Sequence, residues 1–190
     1  LEICAGIGGL SLGFPFLEPL AKIEMWDVAC KVLREHFSDE VVIEGTAQSY
    51  DFKQHRGQVG LLCGGPPCQP WSQAGARMGA NDPRDVMGFT PDAVADCTPE
   101  VFLFENVPGL LSAKEHADYR EDLFDKLRNP APGLEYGLDY KILNAADFGT
   151  PQVRKRVFII GILGKSDAAA RRFLQEVLEH STHHNPKKPA

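Results

Sequence analysis

The sequence predicts an α/β domain: a mostly parallel sheet with helices on both faces and an antiparallel strand pair near the C-terminus. Three observations carry this. Short apolar runs alternate with loops and helix-spaced stretches along the chain, as βαβ units do. Each unusual residue cluster follows the end of such a run, where ligands bind in open α/β sheets. The 190 residues with 43% hydrophobic content are enough for one sizeable core, with no internal repeat and no second domain.

Taken in order, "LEIC" at residues 1–4 is a first strand leading into the glycine-rich "AGIGGLSLGF", and "AKIEMW" at 21–26 is a second. The helical stretch "DVACKVLREHF" follows, with Asp27 as its cap and Val28, Val32, Leu33 and Phe37 on one face. "VVIEG" is a third strand and "QVGLLC" a fourth, which runs into "GGPPCQPWSQAG"; "VFLF" at 101–104 is a fifth and leads into "ENVPGLL". Tyr119, Leu123, Phe124 and Leu127 recur at helical spacing, and the Pro- and Gly-rich "NPAPGLEYG" is a surface loop. "LDYKILNAADFG" and "VRKRVFIIGIL" form the antiparallel pair. "DAAARRFLQEVLEH" is a final amphipathic helix, and residues 181–190 are a polar tail.

Composition removes several classes. No apolar run is long enough for a membrane span, and no signal-peptide pattern is present. The chain starts at Leu1, already inside a strand, and reads as trimmed there. Cys4, Cys30, Cys63, Cys68 and Cys97 are odd in number and irregularly spaced, with no C-x-x-C pair and no histidine nearby in sequence. That argues against a disulfide framework or a zinc site and for a reducing compartment. The formal charge of −6 leaves no electrostatic footprint for nucleic acid over the whole chain.

Four clusters carry chemistry. In "CAGIGGL" the glycines allow a tight turn and close backbone approach to a ligand, with a helix N-terminus expected behind them. Tight strand-to-helix packing explains such a cluster equally well. Glu24, at the end of the next run, can accept hydrogen bonds from a ribose diol. Met25 and Trp26 offer apolar surface for a purine, although Trp26 taken alone reads as a core residue. In the second cluster, Pro66 and Pro67 fix their φ angles and hold Cys68 in a defined outward position. A displayed thiol can ionise and act as a nucleophile, whereas Cys63 within the strand fits a packing role. Residues 69–88 are long, polar and glycine-containing, with Arg77 and Arg84, as expected of a lid. In the third, Glu105 ends a buried strand, where a desolvated carboxyl can donate a proton or else accept from the next turn's N–H groups. In the fourth, Gln152, Arg154 and Arg156 alternate on one strand face. That pattern suits an ordinary charged surface or a pair of arginines holding an anion or a carbonyl oxygen.

In this order the clusters "AGIGGLSLGF", "GGPPCQPWS", "FENV" and "NAADFGTPQVRKRVFIIG" resemble the cytosine-5 DNA methyltransferase family over nearly all of residues 1–163. The resemblance implies a Rossmann-like, S-adenosylmethionine-dependent methyltransferase fold. It implies that residues 1–180 are a catalytic domain incomplete at both ends, acting on double-stranded DNA. S-adenosylmethionine, leaving as S-adenosylhomocysteine, would meet Ala5, Gly6, Ile7, Gly8, Gly9 and Leu10, then Glu24, Met25, Trp26, Pro66 and Met87. No metal is implied. Cys68 would attack carbon 6 of a flipped-out cytosine, Glu105 would protonate N3, Arg156 would contact O2, and Arg154 would steady the nucleophile region or the nucleic-acid backbone. Gln69, Ser72, Arg77 and Gln152 would contact nucleic acid, and the 69–88 loop would close over the base.

The departures are specific. Cys4 stands where the family often has an aromatic residue, Thr46 where an acid is common, and Met87 where a leucine contacts the cofactor. The family's target-recognition domain and final cofactor-site segment are not visible after Gly164, so a second subunit or a missing segment would carry target recognition. Transfer RNA as substrate and a non-catalytic cofactor- or partner-binding fragment are the alternatives. A cysteine hydrolase fits poorly because no histidine lies in any of the motifs. The location implied is the cytoplasm or nucleoid in a bacterium, or the nucleus in a eukaryote.

Overall fold

The computed structural model describes residues 1–67, 85–112 and 117–181. Cys68, Gln69, Ser72, Arg77, the first sixteen residues of the expected lid and all but the first residue of the polar tail lie outside the described residues.

The described strands are β1 (Glu2–Ile3), β2 (Lys22–Glu24), β3 (Val42–Glu44), β4 (Leu61–Gly64), β5 (Val101–Asn106), β6 (Tyr136–Asn144) and β7 (Lys155–Leu163). They form one sheet in the order β3-β2-β1-β4-β5-β7-β6. The first five positions are parallel, and β7 runs antiparallel to both of its neighbours. The expected architecture is therefore present. The chain order reverses between β1 and β4, so the loops after these two strands diverge and leave a crevice at their carboxyl ends.

Helices α1 (Asp27–His36) and α4 (Asp167–Glu179) cover one face, and α2 (Val86–Cys97) and α3 (Ala117–Arg128) the other. The largest core packs Ile3, Ile23, Leu62, Phe102, Phe104 and Ile159 against Met87, Val94, Leu123 and Leu127. On the opposite face Ala5 and Val42 meet Cys30 and Leu33, while Ile160 meets Ala170 and Leu174. Among the described residues, no helix is long and apolar enough to cross a membrane.

Local chemistry changed three expectations. The first helix is not capped by Asp27: Trp26 occupies the N-cap position, and Asp27 lies in the first turn, where a carboxylate suits the positive helix end. Its buried side carries Ala29, Cys30 and Leu33, whereas Val28 is exposed. The glycine loop is followed not by an α-helix but by a single 3₁₀ turn, Ser11–Gly13, because Gly13, Pro15 and Pro19 interrupt any longer helix. Conversely, the last residues of the expected loop belong to α2. That helix contains Gly88 and Pro91 and is buried along most of its surface, so helical periodicity is weak in its sequence. Pro91 cannot donate to the Met87 carbonyl; the Thr90 hydroxyl does so instead, at 2.7 Å. Asp85 accepts from the Gly88 N–H at 3.0 Å and caps the helix.

Gly64 ends β4 directly opposite Ile3 of β1. A Cβ at this position would lie 2.2 Å from the Ile3 carbonyl oxygen, a backbone atom fixed within the central sheet. Gly64→Ala is therefore expected to cost about 3 kcal/mol, lowering the thermal midpoint by roughly 6–12 °C. A scanning-calorimetry midpoint unchanged from wild type would contradict this.

Candidate active site

The clusters at the strand ends assemble on one rim. After β1 the backbone turns through Cys4 (φ +51°), Gly6 (φ +55°) and Gly8 (φ +86°). Left-handed backbone suits the two glycines, while Cys4 adopts it under strain. A side chain on Gly8 would press on Leu33 and Phe37 at 3.1 Å, so this glycine serves close packing against α1. Gly6 and Gly9 face open space, with nothing within 4 Å of a Cβ position. Gly8 thus serves packing, while Gly6 and Gly9 leave room for close approach of a ligand.

Glu24, 8% exposed, braces this loop. Its Oε2 accepts from the Gly6 N–H at 2.7 Å and its Oε1 from the Trp26 N–H at 2.9 Å. One carboxylate ties the loop after β1 to the start of α1 and keeps lone pairs for further donors. Around it, Ile7, Met25 and Trp26 are 61%, 70% and 60% exposed. Trp26 is thus not a core residue; it forms an exposed apolar rim beside a fixed carboxylate. Ala5 is buried and Leu10 half-buried. Met87 is fully buried within the main core, and Thr46 donates its hydroxyl to Ser49 Oγ at 3.1 Å.

On the other side of the crevice, β5 ends with Glu105 and Asn106. Because β7 is antiparallel, its beginning reaches the same rim, with Phe158 paired to Glu105. Arg156 Nε lies 2.9 Å from Glu105 Oε1, and Arg154 Nη2 lies 3.5 Å from the same oxygen. Residues 151–152 form a bend and 153–154 are irregular, so the strand starts only at Lys155. They are held by Arg154 N–H donating to Asn144 Oδ1 at 3.1 Å and by Ala145 N–H donating to the Arg154 carbonyl at 3.0 Å. The expected alternation nonetheless holds for the two arginines, which converge on one carboxylate. Gln152 is exposed, and its backbone N–H bonds Thr150 O at 2.7 Å. Glu105 Oε2 lies toward Gly65, 3.5 Å from where a Cβ there would stand, so the Gly-Gly-Pro-Pro segment passes beside the carboxyl.

Asn106 has a role that the sequence motifs do not assign. It is 5% exposed. Its Nδ2 donates to the Pro66 carbonyl at 3.0 Å and its Oδ1 accepts from the Val107 N–H at 2.8 Å. It thereby fastens the segment just before Cys68 to the strand that carries Glu105. The signal available in the sequence was a polar side chain continuing the buried alternation Phe102, Phe104, Asn106. Pro66, expected at the cofactor, is buried and serves as the acceptor in this clamp. Asn106→Ala is expected to lower turnover on the order of a hundredfold through misplacement of the two loops, with little change in cofactor affinity. Single-turnover rates set beside a cofactor titration check this, and Asn106→Asp, which lacks the donor, should not rescue.

The four described cysteines are free thiols and poor nucleophiles. Burial pushes Cys63 and Cys97 each up to about 12. Burial, with the Glu24 carboxylate adding to it, does the same to Cys4. Cys30 is also raised by burial and donates to the Glu24 carbonyl at 3.3 Å. A thiol so shifted is almost wholly protonated at neutral pH. Among the described residues, no cluster of three His, Cys, Asp or Glu could hold a metal ion.

Comparison with known proteins adds a consistent set of matches. The family model described as C-5 cytosine-specific DNA methylase matches residues 1–189. The Type II methyltransferase M.NaeI of Lentzea aerocolonigenes is 36% identical over 171 residues, covering 87% of this chain and 40% of that protein. Type II methyltransferase M.AquIA of Picosynechococcus sp. is 34% identical over 181 residues, covering 87% of this chain and 73% of that protein. The chain thus spans between two fifths and three quarters of these relatives. Two solved structures share the fold. The S. pombe Dnmt2 methyltransferase has a TM-score of 0.69 at 20% identity, covering 97% of this chain and 56% of that one. Entamoeba histolytica methyltransferase EhMeth has a TM-score of 0.63 at 22% identity, covering 86% and 52%.

Proposed function

Because this chain belongs to the C-5 cytosine-specific DNA methylase family, we propose that it is the catalytic part of an enzyme that methylates carbon 5 of cytosine in double-stranded DNA. The observation that carries this reading is the convergence of Arg154, Arg156 and the Asn106-clamped Pro66 segment on Glu105. That arrangement puts a carboxyl, two guanidiniums and the approach to Cys68 at one end of the sheet.

The residues at the glycine loop fit S-adenosylmethionine. Gly6 and Gly9 leave open backbone, Glu24 offers a fixed acceptor for a ribose diol, and Ile7, Met25 and Trp26 offer apolar surface for a purine. When bound, the cofactor supplies an activated methyl group. The chain's own residues do the rest. A target base inside the duplex cannot be reached, so it must leave the stack. Cys68, as thiolate, adds to carbon 6 and forms a sulfur–carbon bond. Glu105 delivers a proton to N3, so that the ring's electron pair collects at carbon 5, where the methyl group is taken. Arg156 orients the Glu105 side chain and reaches O2, and Arg154 supports the same carboxyl from its more exposed position. Removal of the carbon-5 proton by a base then restores the double bond and expels Cys68 as thiolate, and the N3 proton returns to Glu105.

The test is covalent trapping. The full-length protein, S-adenosylmethionine and DNA carrying 5-fluorocytosine are expected to give a denaturation-resistant adduct that requires Cys68, because fluorine blocks the final elimination. An adduct formed with fluorinated transfer RNA but not with DNA would overturn the choice of substrate. No adduct with either polymer would overturn the covalent mechanism.

A further inference from the structure

We propose that Lys22 is a positioning residue for the cofactor loop, acting through Ser11; the proposal rests on the reading of Gly6–Gly9 as that loop. In β2, Lys22 and Glu24 are two residues apart and so share one face of the strand. Glu24 holds the entry of the loop through the Gly6 N–H. Lys22 holds its exit. Lys22 Nζ donates to Ser11 Oγ, Ser11 donates to Glu2 Oε2, and Lys22 Nζ closes the ring with the same Glu2 oxygen at 2.8 Å. Two residues of a single strand therefore span the loop from end to end.

Stability alone does not account for this arrangement. Lys22 and Glu2 are 2% and 3% exposed, and a buried ion pair often stabilises no more than apolar residues of the same volume. Lys22 gains one further contact, with its ammonium 4.0 Å above the Phe37 ring. The segment after the loop has little else to hold it. Its backbone bonds are local: Gly13 N–H to Leu10 O, Phe14 N–H to Ser11 O and Leu17 N–H to Phe14 O. Leu12 and Phe16 are 73% and 78% exposed. Between this segment and the sheet lies a cavity of about 690 Å³, lined among others by Leu1, Leu12, Phe14, Leu17 and Lys22. Where packing is this loose, the polar ring at Ser11 sets where the loop ends.

Ser11→Ala removes the tie and leaves the Lys22–Glu2 pair in place; Lys22→Met removes the pair as well. In the full-length protein both are expected to weaken S-adenosylhomocysteine binding by about tenfold, as for the loss of a charge-assisted hydrogen bond. Both should also speed amide hydrogen exchange from Gly8 to Leu12, and Ser11→Thr should restore both properties. Turnover at saturating cofactor and the Ser11→Ala thermal midpoint should stay at wild-type values, which separates positioning from a general loss of stability. Unchanged affinity and exchange in Ser11→Ala would overturn the role of Lys22 while leaving the cofactor reading intact. A wild-type protein that binds no S-adenosylhomocysteine would overturn the cofactor reading, and the proposal with it.

Discussion

Cys68→Ala is expected to abolish methyl transfer while the fold and the cofactor affinity persist. No other cysteine can take its place. Cys4, Cys63 and Cys97 are each pushed up to about 12 by burial, and Cys30 is fully buried, with its thiol directed at the Glu24 carbonyl. A thiol in that state presents almost no thiolate near neutrality. Alanine adds no bulk after the two prolines, and the Asn106–Pro66 bond joins the Asn106 side chain to the Pro66 carbonyl, neither of which the substitution touches. Loss of a nucleophile from a covalent mechanism costs about 10⁴-fold or more. Incorporation of labelled methyl groups into DNA should therefore fall to background, while an S-adenosylhomocysteine titration should match wild type. Measurable turnover in the alanine variant would remove Cys68 from the mechanism.

Glu105→Gln should reduce turnover by roughly 10²–10⁴-fold, the usual range for loss of a general acid, with cofactor affinity nearly unchanged. Glutamine keeps the size of the side chain and one acceptor oxygen for Arg156, so the rim should hold its shape. It carries no carboxyl proton to deliver to N3. The cofactor residues lie across the crevice on the loops after β1 and β2, and Glu24, not Glu105, holds that loop. The separation of the two effects is the diagnostic: an equal loss in turnover and in cofactor affinity would assign Glu105 to structure.

The family of this chain was legible in its sequence because its motifs are short contiguous clusters. Glycines before an acid, a thiol after two prolines, a glutamate ending an apolar run and arginines two apart keep their meaning whatever surrounds them. The alternation of apolar runs likewise carried the parallel sheet and its antiparallel end. Helix α2 was not legible, since Gly88 and Pro91 argue against a helix locally and burial on nearly every side erases its periodicity. Trp26 read as core because burial is a property of neighbours, and here the neighbours leave it on the rim. Asn106 and Lys22 were passed over for the same reason: a polar residue in an apolar run acquires a role only when a distant backbone or side chain arrives beside it. Local residue types thus determined the family, through motifs that need no context. Contacts between residues 9 to 51 positions apart decided which carboxylate the arginines meet and what holds each loop, because those partners are brought together only by the register and crossing of the sheet.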